Sequence, residues 1–185
     1  MQPRPTLLNS CASAATAGEA RYRISASLGS PRAARVIALD GTAAAIVGRV
    51  AARRWDGARF FRVGDEPPPI PERGSDASTT NGSNGRNRSM PDLLLENLAG
   101  GPELLSAVLA DADVIILVAT GAGGAADAAT VGAACTGRGI MTTGLIFGDR
   151  ELLGPTVAAL RPHARVLMVS KDEEDVAEIL TALRA

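Results

Sequence analysis

The residues best suited to chemistry are the glycines of residues 120–127, which read TGAGGAAD. They follow an apolar run and precede a helix-forming stretch, so the chain is expected to turn there from a strand into a helix. Glycine lets a ligand approach the backbone closely, and the N–H groups at the start of a helix attract a phosphate. We therefore expect Thr120, Gly121, Gly123 and Gly124 to bind a nucleotide, although the same glycines would also suit a tight turn without a ligand.

A second glycine turn occurs at residues 40–42, which read DGT. It also lies between an apolar run, at 35–39, and a helix-forming stretch, at 43–54. Ligands of parallel α/β sheets bind beyond the carboxyl ends of the strands. Both turns are predicted at such ends, so we expect Gly41 and Thr42 to contact the ligand as well.

No further group of residues in the sequence forms a convincing reaction centre. The single histidine, His163, is remote in sequence from both glycine turns, and Cys11 and Cys135 have no zinc-type spacing. We therefore expect no catalytic residues and no metal site, and we favour a protein without enzymatic activity.

Strand and helix patterns alternate along residues 34–185. Strands are predicted at 35–39, 58–63, 114–118, 140–147 and 165–169. Helices are predicted at 43–54, 93–110, 125–137, 150–160 and 172–184, the second of them broken at 100–102. Strands that are apolar throughout and alternate with helices are typical of a parallel sheet covered on both faces. The sequence predicts a doubly wound α/β fold, with a mostly parallel sheet of about five strands and helices on both faces.

Two stretches do not share this alternation. Residues 1–33 are rich in Ala and Ser, and residues 64–89 combine several prolines with a Gly/Asn/Ser/Arg segment. Neither stretch can bury enough apolar surface to offset the entropy lost on ordering. We therefore expect a flexible arm at 1–33 and a disordered insertion at 64–89 within a single domain at 34–185.

The composition restricts the partners. The chain has 19 basic and 20 acidic residues, and 3% of its residues are aromatic. A nucleic-acid binder needs a basic excess or aromatic stacking platforms, and a membrane helix needs about 20 consecutive apolar residues. With no signal peptide at the start either, we expect a cytoplasmic protein that binds neither nucleic acid nor membranes.

Several segments, in order, resemble the amino-terminal nucleotide-binding domain of the FtsZ/tubulin family. The similar segments are 36–50 (VIALDGTAAAIVGRV), 57–63 (GARFFRV), 112–124 (ADVIILVATGAGG), 139–142 (GIMT) and 160–169 (LRPHARVLMV). They resemble the family's first glycine loop with its flanking elements, the strand entering its Gly-rich signature loop, and the following strands. The resemblance covers most of residues 35–175. It implies that family's Rossmann-like fold, with GTP or GDP bound at the two glycine turns.

The chain departs from the family at both loops. The family's first loop is nearly all glycine, whereas here Gly41 remains and Asp40 places a carboxylate where a phosphate would lie. The signature loop lacks its threonine and ends in Asp127, and the chain stops at Ala185, before the family's second domain. The resemblance therefore implies a binding or regulatory module, with weak or absent GTP binding and no polymer-coupled GTPase.

Two other interpretations stay open. Gly121, Gly123 and Ala126 fit the dinucleotide fingerprint, and Asp149 follows at about the spacing of a ribose-binding acid. The chain would then be an NAD(P)-binding, Rossmann-type oxidoreductase or cofactor-binding protein, although Asp149 would equally cap the next helix. In the third interpretation the chain is a ligand-free interaction domain whose sheet edge or apolar helix face meets a protein partner or a second copy in a homodimer.

Overall fold

The computed structural model describes residues 32–64, 92–148 and 154–185. The first range contains β1 (Ala34–Ala38), α1 (Gly41–Ala51) and β2 (Ala58–Val63). The elements that follow are β3 (Leu94–Asn97), β4 (Pro102–Leu104), α2 (Leu105–Val108), β5 (Val114–Ala119), α3 (Ala125–Arg138), β6 (Met141–Phe147), α4 (Gly154–Leu160), β7 (Val166–Ser170) and α5 (Glu174–Leu183).

The seven strands form one sheet in the order β4-β3-β2-β1-β5-β6-β7. The strands β2, β1, β5, β6 and β7 pair in parallel with their neighbours. Beyond β2, β3 pairs antiparallel with β2, and β4 pairs antiparallel with β3. This confirms the α/β class and the mostly parallel sheet, with seven strands where about five were expected. The strand order reverses between β1 and β5, whose carboxyl ends therefore meet at the place where such sheets bind ligands.

The antiparallel strands correct the helix predicted at residues 93–110. The run LLLEN at 93–97 has no periodicity that separates a helix from a short buried strand. In the structure Leu95 is fully buried opposite Val63, and Arg62 donates a hydrogen bond of 2.6 Å to Glu96 across the two strands. Pairing with β2 determines the conformation, and only α2 is helical in the described part of that stretch.

Alternate side chains of the central strands are buried on opposite faces of the sheet. On one face Val36 and Ile116 pack with side chains of α1 and α5. On the other face Ile37 and Leu117 pack with side chains of α2, α3 and α4. Every residue of β1 and β5 is therefore buried, which is why both strands are apolar at nearly every position.

The exception in β1 is Arg35, whose side chain is 4% exposed. Its guanidinium lies 2.9 Å from the Asp111 carboxylate and donates to the carbonyl oxygens of Ala34 and Gly57. Within the described residues its Nε has no hydrogen-bond partner. Arg35 therefore connects the amino ends of β1, β2 and β5. The two glycine turns lie at the opposite, carboxyl ends of the strands.

The arm predicted at 1–33 and the insertion predicted at 64–89 lie outside the described residues, apart from residues 32, 33 and 64. The described residues belong to one compact unit. None of the helices described above is both long and apolar enough to span a bilayer.

Candidate functional site

Asp40 connects the two glycine turns. It follows β1 and caps α1, since its Oδ1 accepts a hydrogen bond of 2.8 Å from the N–H of Ala43. The same carboxylate reaches the end of β5, where the N–H of Thr120 donates to Oδ2 at 2.7 Å and its hydroxyl donates to Oδ1 at 2.6 Å. One side chain therefore holds the carboxyl ends of β1 and β5 together.

The environment of Asp40 keeps its carboxylate ionised. Burial raises the pKa of Asp40, but hydrogen bonds from Thr120, Ala43 and Gly121 together lower it by more than burial raises it. The pKa of Asp40 therefore lies below its ordinary value. Hydrogen bonds that are made to the charged form favour that form. A negative charge consequently occupies the place between β1 and β5 where sheets of this type hold an anion.

The glycines of the second turn differ in what surrounds them. A Cβ on Gly124 would lie 2.7 Å from the Cβ of Leu39 and 2.9 Å from its carbonyl oxygen. A Cβ on Gly121 or Gly123 would have no heavy atom within 4 Å, and neither residue has a positive φ. Packing on β1 therefore requires Gly124 to be glycine, whereas the space over Gly121 and Gly123 is open.

Thr156 fixes this turn from α4. It is fully buried, and its hydroxyl donates a hydrogen bond of 2.7 Å to the carbonyl oxygen of Gly121. The turn is thus held on one side by Asp40 and on the other by Thr156.

Replacing Thr156 with valine is expected to lower the free energy of unfolding by about 1–2 kcal/mol, because the isosteric side chain leaves the carbonyl of Gly121 without its donor. Urea denaturation measures the difference. Thr130→Val is the matched control, since its hydroxyl donates to the carbonyl of Ala126 at an exposed position and should cost less than about 0.5 kcal/mol. Equal losses in the two variants would contradict the role given to Thr156.

A crevice of about 420 Å³ opens beside Asp40 at the carboxyl ends of β1 and β2. Gly41, Arg62, Gly123 and Asp127 also line it. Its volume is within the range of small-ligand sites. Two carboxylates and one arginine therefore stand around a space that could hold a small molecule.

The charges of this crevice are unfavourable to an anion. Arg62 is already paired with Glu96, so its positive charge is partly neutralised. Asp127 lies in the first turn of α3, and burial raises the pKa of its carboxyl above the ordinary value. Asp40 and Asp127 outnumber Arg62 among the charged residues of the lining, and carboxylates repel phosphate groups.

The other predicted residues lie in different places. Gly41 and Gly123 line the crevice, but Thr42 is exposed on the first turn of α1 and does not. Ala126 is exposed at the start of α3. Asp149, the acid of the dinucleotide interpretation, lies outside the described residues.

Sequence reasoning missed Arg62 and Thr156. Arg62 could have been found as the polar residue near the carboxyl end of β2, but its partner Glu96 was assigned to a helix. Thr156 is 35 residues from Gly121 in the chain and belongs to no motif, so nothing in the sequence indicates their hydrogen bond.

The remaining nucleophilic and titratable side chains considered from the sequence lie away from the crevice. Burial raises the pKa of the Cys135 thiol in α3. His163 packs against Gly132 of the same helix, and its Nδ1 lies 3.0 Å from the Thr136 hydroxyl. Among the residues that the structure describes, no three His, Cys, Asp or Glu side chains cluster in a way that could hold a metal ion.

No protein-family model, curated protein or solved structure matches this chain.

Proposed function

We propose that the chain is a binding or regulatory module built on a doubly wound, Rossmann-like nucleotide-binding fold of the FtsZ/tubulin type. In this proposal it binds GTP or GDP weakly or not at all and has no polymer-coupled GTPase activity. The support from the fold is the strand order β2-β1-β5-β6-β7, which brings the two glycine turns to the reversal between β1 and β5. These are the elements in which the sequence resembles that family.

The observation that carries the proposal is the set of hydrogen bonds to Asp40. The N–H and hydroxyl of Thr120 and the N–H of Ala43 all donate to its carboxylate, so these donors are already used. Two like unit charges 4 Å apart repel by about 4 kcal/mol at the effective dielectric constant near a protein surface. A phosphate at this position would meet that repulsion.

The same hydrogen bonds disfavour hydrolysis. A general base works best when its pKa is near the operating pH, whereas the pKa of Asp40 is lowered. A carboxylate with three protein donors is also poorly placed to accept a proton from water. Asp40 is therefore poorly suited to act as the general base of a hydrolysis reaction.

The experiment removes the carboxylate of Asp40 while keeping a cap on α1. Serine is a good N-cap residue, so Asp40→Ser retains an acceptor for the N–H of Ala43 and frees the donors of Thr120. In calorimetric titrations with GDP and GTP in the presence of Mg²⁺, we expect a wild-type Kd weaker than about 100 μM. The Asp40→Ser protein should bind at least ~10-fold more tightly, because the repulsion is removed.

Two leucine variants locate the gained binding. Gly123→Leu adds a side chain over the turn, where a Cβ meets no heavy atom within 4 Å, and should abolish the gain when combined with Asp40→Ser. Gly137→Leu, at the other end of α3 and equally unhindered, should leave it unchanged. Micromolar GTP binding by the wild-type chain, or no gain in Asp40→Ser, contradicts the proposal.

The second candidate is an NAD(P)-binding protein that uses Gly121, Gly123, Ala126 and Asp149. It is favoured by the start of α3, where Gly124 supplies no side-chain cap and N–H groups remain for a pyrophosphate. It is disfavoured by the position of the turn after β5, since the dinucleotide fingerprint usually follows the first strand. Titration with NAD and NADP, repeated with Asp149→Ala, tests this candidate: binding that the substitution abolishes would support it.

A further inference from the structure

Strand β7 carries an exposed apolar edge. Val166, Met168 and Val169 are 46%, 39% and 50% exposed, and they are three of the five large hydrophobic residues exposed in the described part of the chain. β7 pairs in parallel with β6, and no other described strand pairs with it. A strand at the edge of a sheet leaves a row of N–H and C=O groups open to another strand.

The apolar side chains of this edge lie on both faces of the sheet. Successive residues of a strand point to opposite faces, so Val166 and Met168 lie on one face and Val169 on the other. A strand added beside β7 would therefore contact apolar side chains above and below the sheet, in addition to making main-chain hydrogen bonds.

Positive charges stand at both ends of β7. Arg165 precedes the strand and Lys171 follows it, both are exposed, and neither forms an ion pair with another described residue. The two acidic residues that directly follow Lys171 have hydrogen-bond partners of their own. Glu173 accepts two hydrogen bonds from Arg49, and Asp172 accepts one from the N–H of Glu174.

We propose that the β7 edge binds an extended segment of a partner protein, which joins the sheet as an additional strand. The segment has a centre of β-branched side chains, which reach both faces of the sheet, and acidic side chains at both ends. Main-chain hydrogen bonds would supply affinity in this mode of recognition, and the side-chain contacts would supply specificity. The acidic ends complement Arg165 and Lys171.

The same charges argue against a second copy of the chain as the occupant. Antiparallel pairing of two β7 strands about Met168 gives the greatest overlap of the two strands. It would place Arg165 of one copy opposite Lys171 of the other at both ends. Like charges directly opposite each other destabilise a strand pair, whereas an acidic segment meets attraction at these positions.

Fluorescence anisotropy with a labelled synthetic peptide tests the proposal on the full chain. The probe is a nonapeptide with a Val-Thr-Val-Thr-Val centre and two glutamates at each end, and the matched peptide has two lysines at each end. At ~50 mM salt the glutamate probe should bind at least ~10-fold more tightly than the lysine peptide, and the ratio should approach one at ~1 M salt.

Three variants locate the binding on β7. Val169→Glu places a negative charge on the edge, which repels the glutamates of the probe, and should weaken binding of the probe at least ~10-fold. Leu104→Glu is the matched control, because Leu104 is similarly exposed, at 43%, on the opposite edge of the sheet. The double variant Arg165→Glu with Lys171→Glu should bind the lysine peptide more tightly than the glutamate probe.

The outcomes are distinct. Equal binding of the two peptides, no measurable binding of either, or equal effects of Val169→Glu and Leu104→Glu would overturn the proposal. Sedimentation of the wild-type chain as a dimer that Val169→Glu dissociates would also overturn it, because the occupant would then be a second copy. Circular dichroism of each variant confirms that its fold is retained.

Discussion

Replacement of Asp40 with alanine is expected to lower the free energy of unfolding at pH 7 by about 2–4 kcal/mol, since it removes a helix cap and two hydrogen bonds to a charged group. The lost bonds join the ends of β1 and β5 through Thr120. Urea denaturation measures the loss.

Two other variants show which bonds matter. Asp40→Ser keeps the cap and should lose about 1 kcal/mol less than alanine. Asp56→Ala, at an exposed aspartate in the turn before β2, should change stability by less than about 0.5 kcal/mol. If serine were as destabilising as alanine, the cap would have little importance and the bonds to Thr120 would account for the whole effect.

The contribution of Asp40 should also depend on pH. The folded state holds its pKa below the ordinary value of 3.8, so the stabilisation is fully present above about pH 4 and is lost as the pH falls through the folded-state pKa. The difference between the wild-type and Asp40→Ala midpoints in urea should therefore be largest at neutral pH and become smaller in the acid range. An equal difference at pH 7 and at about pH 3 would contradict the lowered pKa.

The central strands could be predicted from the sequence because they consist almost entirely of apolar residues. β5 reads VIILVA and is buried at every position. A strand that is apolar throughout is typical of a sheet covered on both faces. β3 and β4 could not be predicted in the same way. Their conformation depends on pairing with β2, and a run such as LLLEN suits a helix as well as a strand when the pairing is unknown.

The candidate site was predictable to a similar extent. Both glycine turns could be placed at the carboxyl ends of strands, because each follows an apolar run. The contact of Asp40 with Thr120, 80 residues away, could not be foreseen, since it depends on the order of β1 and β5 in the sheet. The same is true of Arg62, which lines the crevice because β2 lies beside β1.

The glycines of residues 120–124 look alike in the sequence, but the structure places them in different surroundings. Gly124 is buried against Leu39, whereas Gly123 is exposed at the crevice. A glycine that packing requires and a glycine that leaves room for a ligand give the same sequence pattern. Their different surroundings predict opposite responses to the same substitution.

Gly124→Ala is expected to lower the free energy of unfolding by about 2–3 kcal/mol, because the added methyl group overpacks the contact with β1. The clash includes the carbonyl oxygen of Leu39, 2.9 Å from the new Cβ, so a side-chain rotation cannot relieve it and the end of β1 must shift. That end carries Asp40, and a shift there would also disturb the bonds to Thr120.

Gly123→Ala is the matched control one residue earlier in the same turn. Its Cβ would meet nothing within 4 Å and its φ is not positive, so stability should be unchanged or should rise by about 0.4–1 kcal/mol through the lower entropy of the unfolded chain. Urea denaturation of the two variants provides the comparison. Equal losses would contradict the close approach of α3 to β1 as the reason for the glycine at position 124.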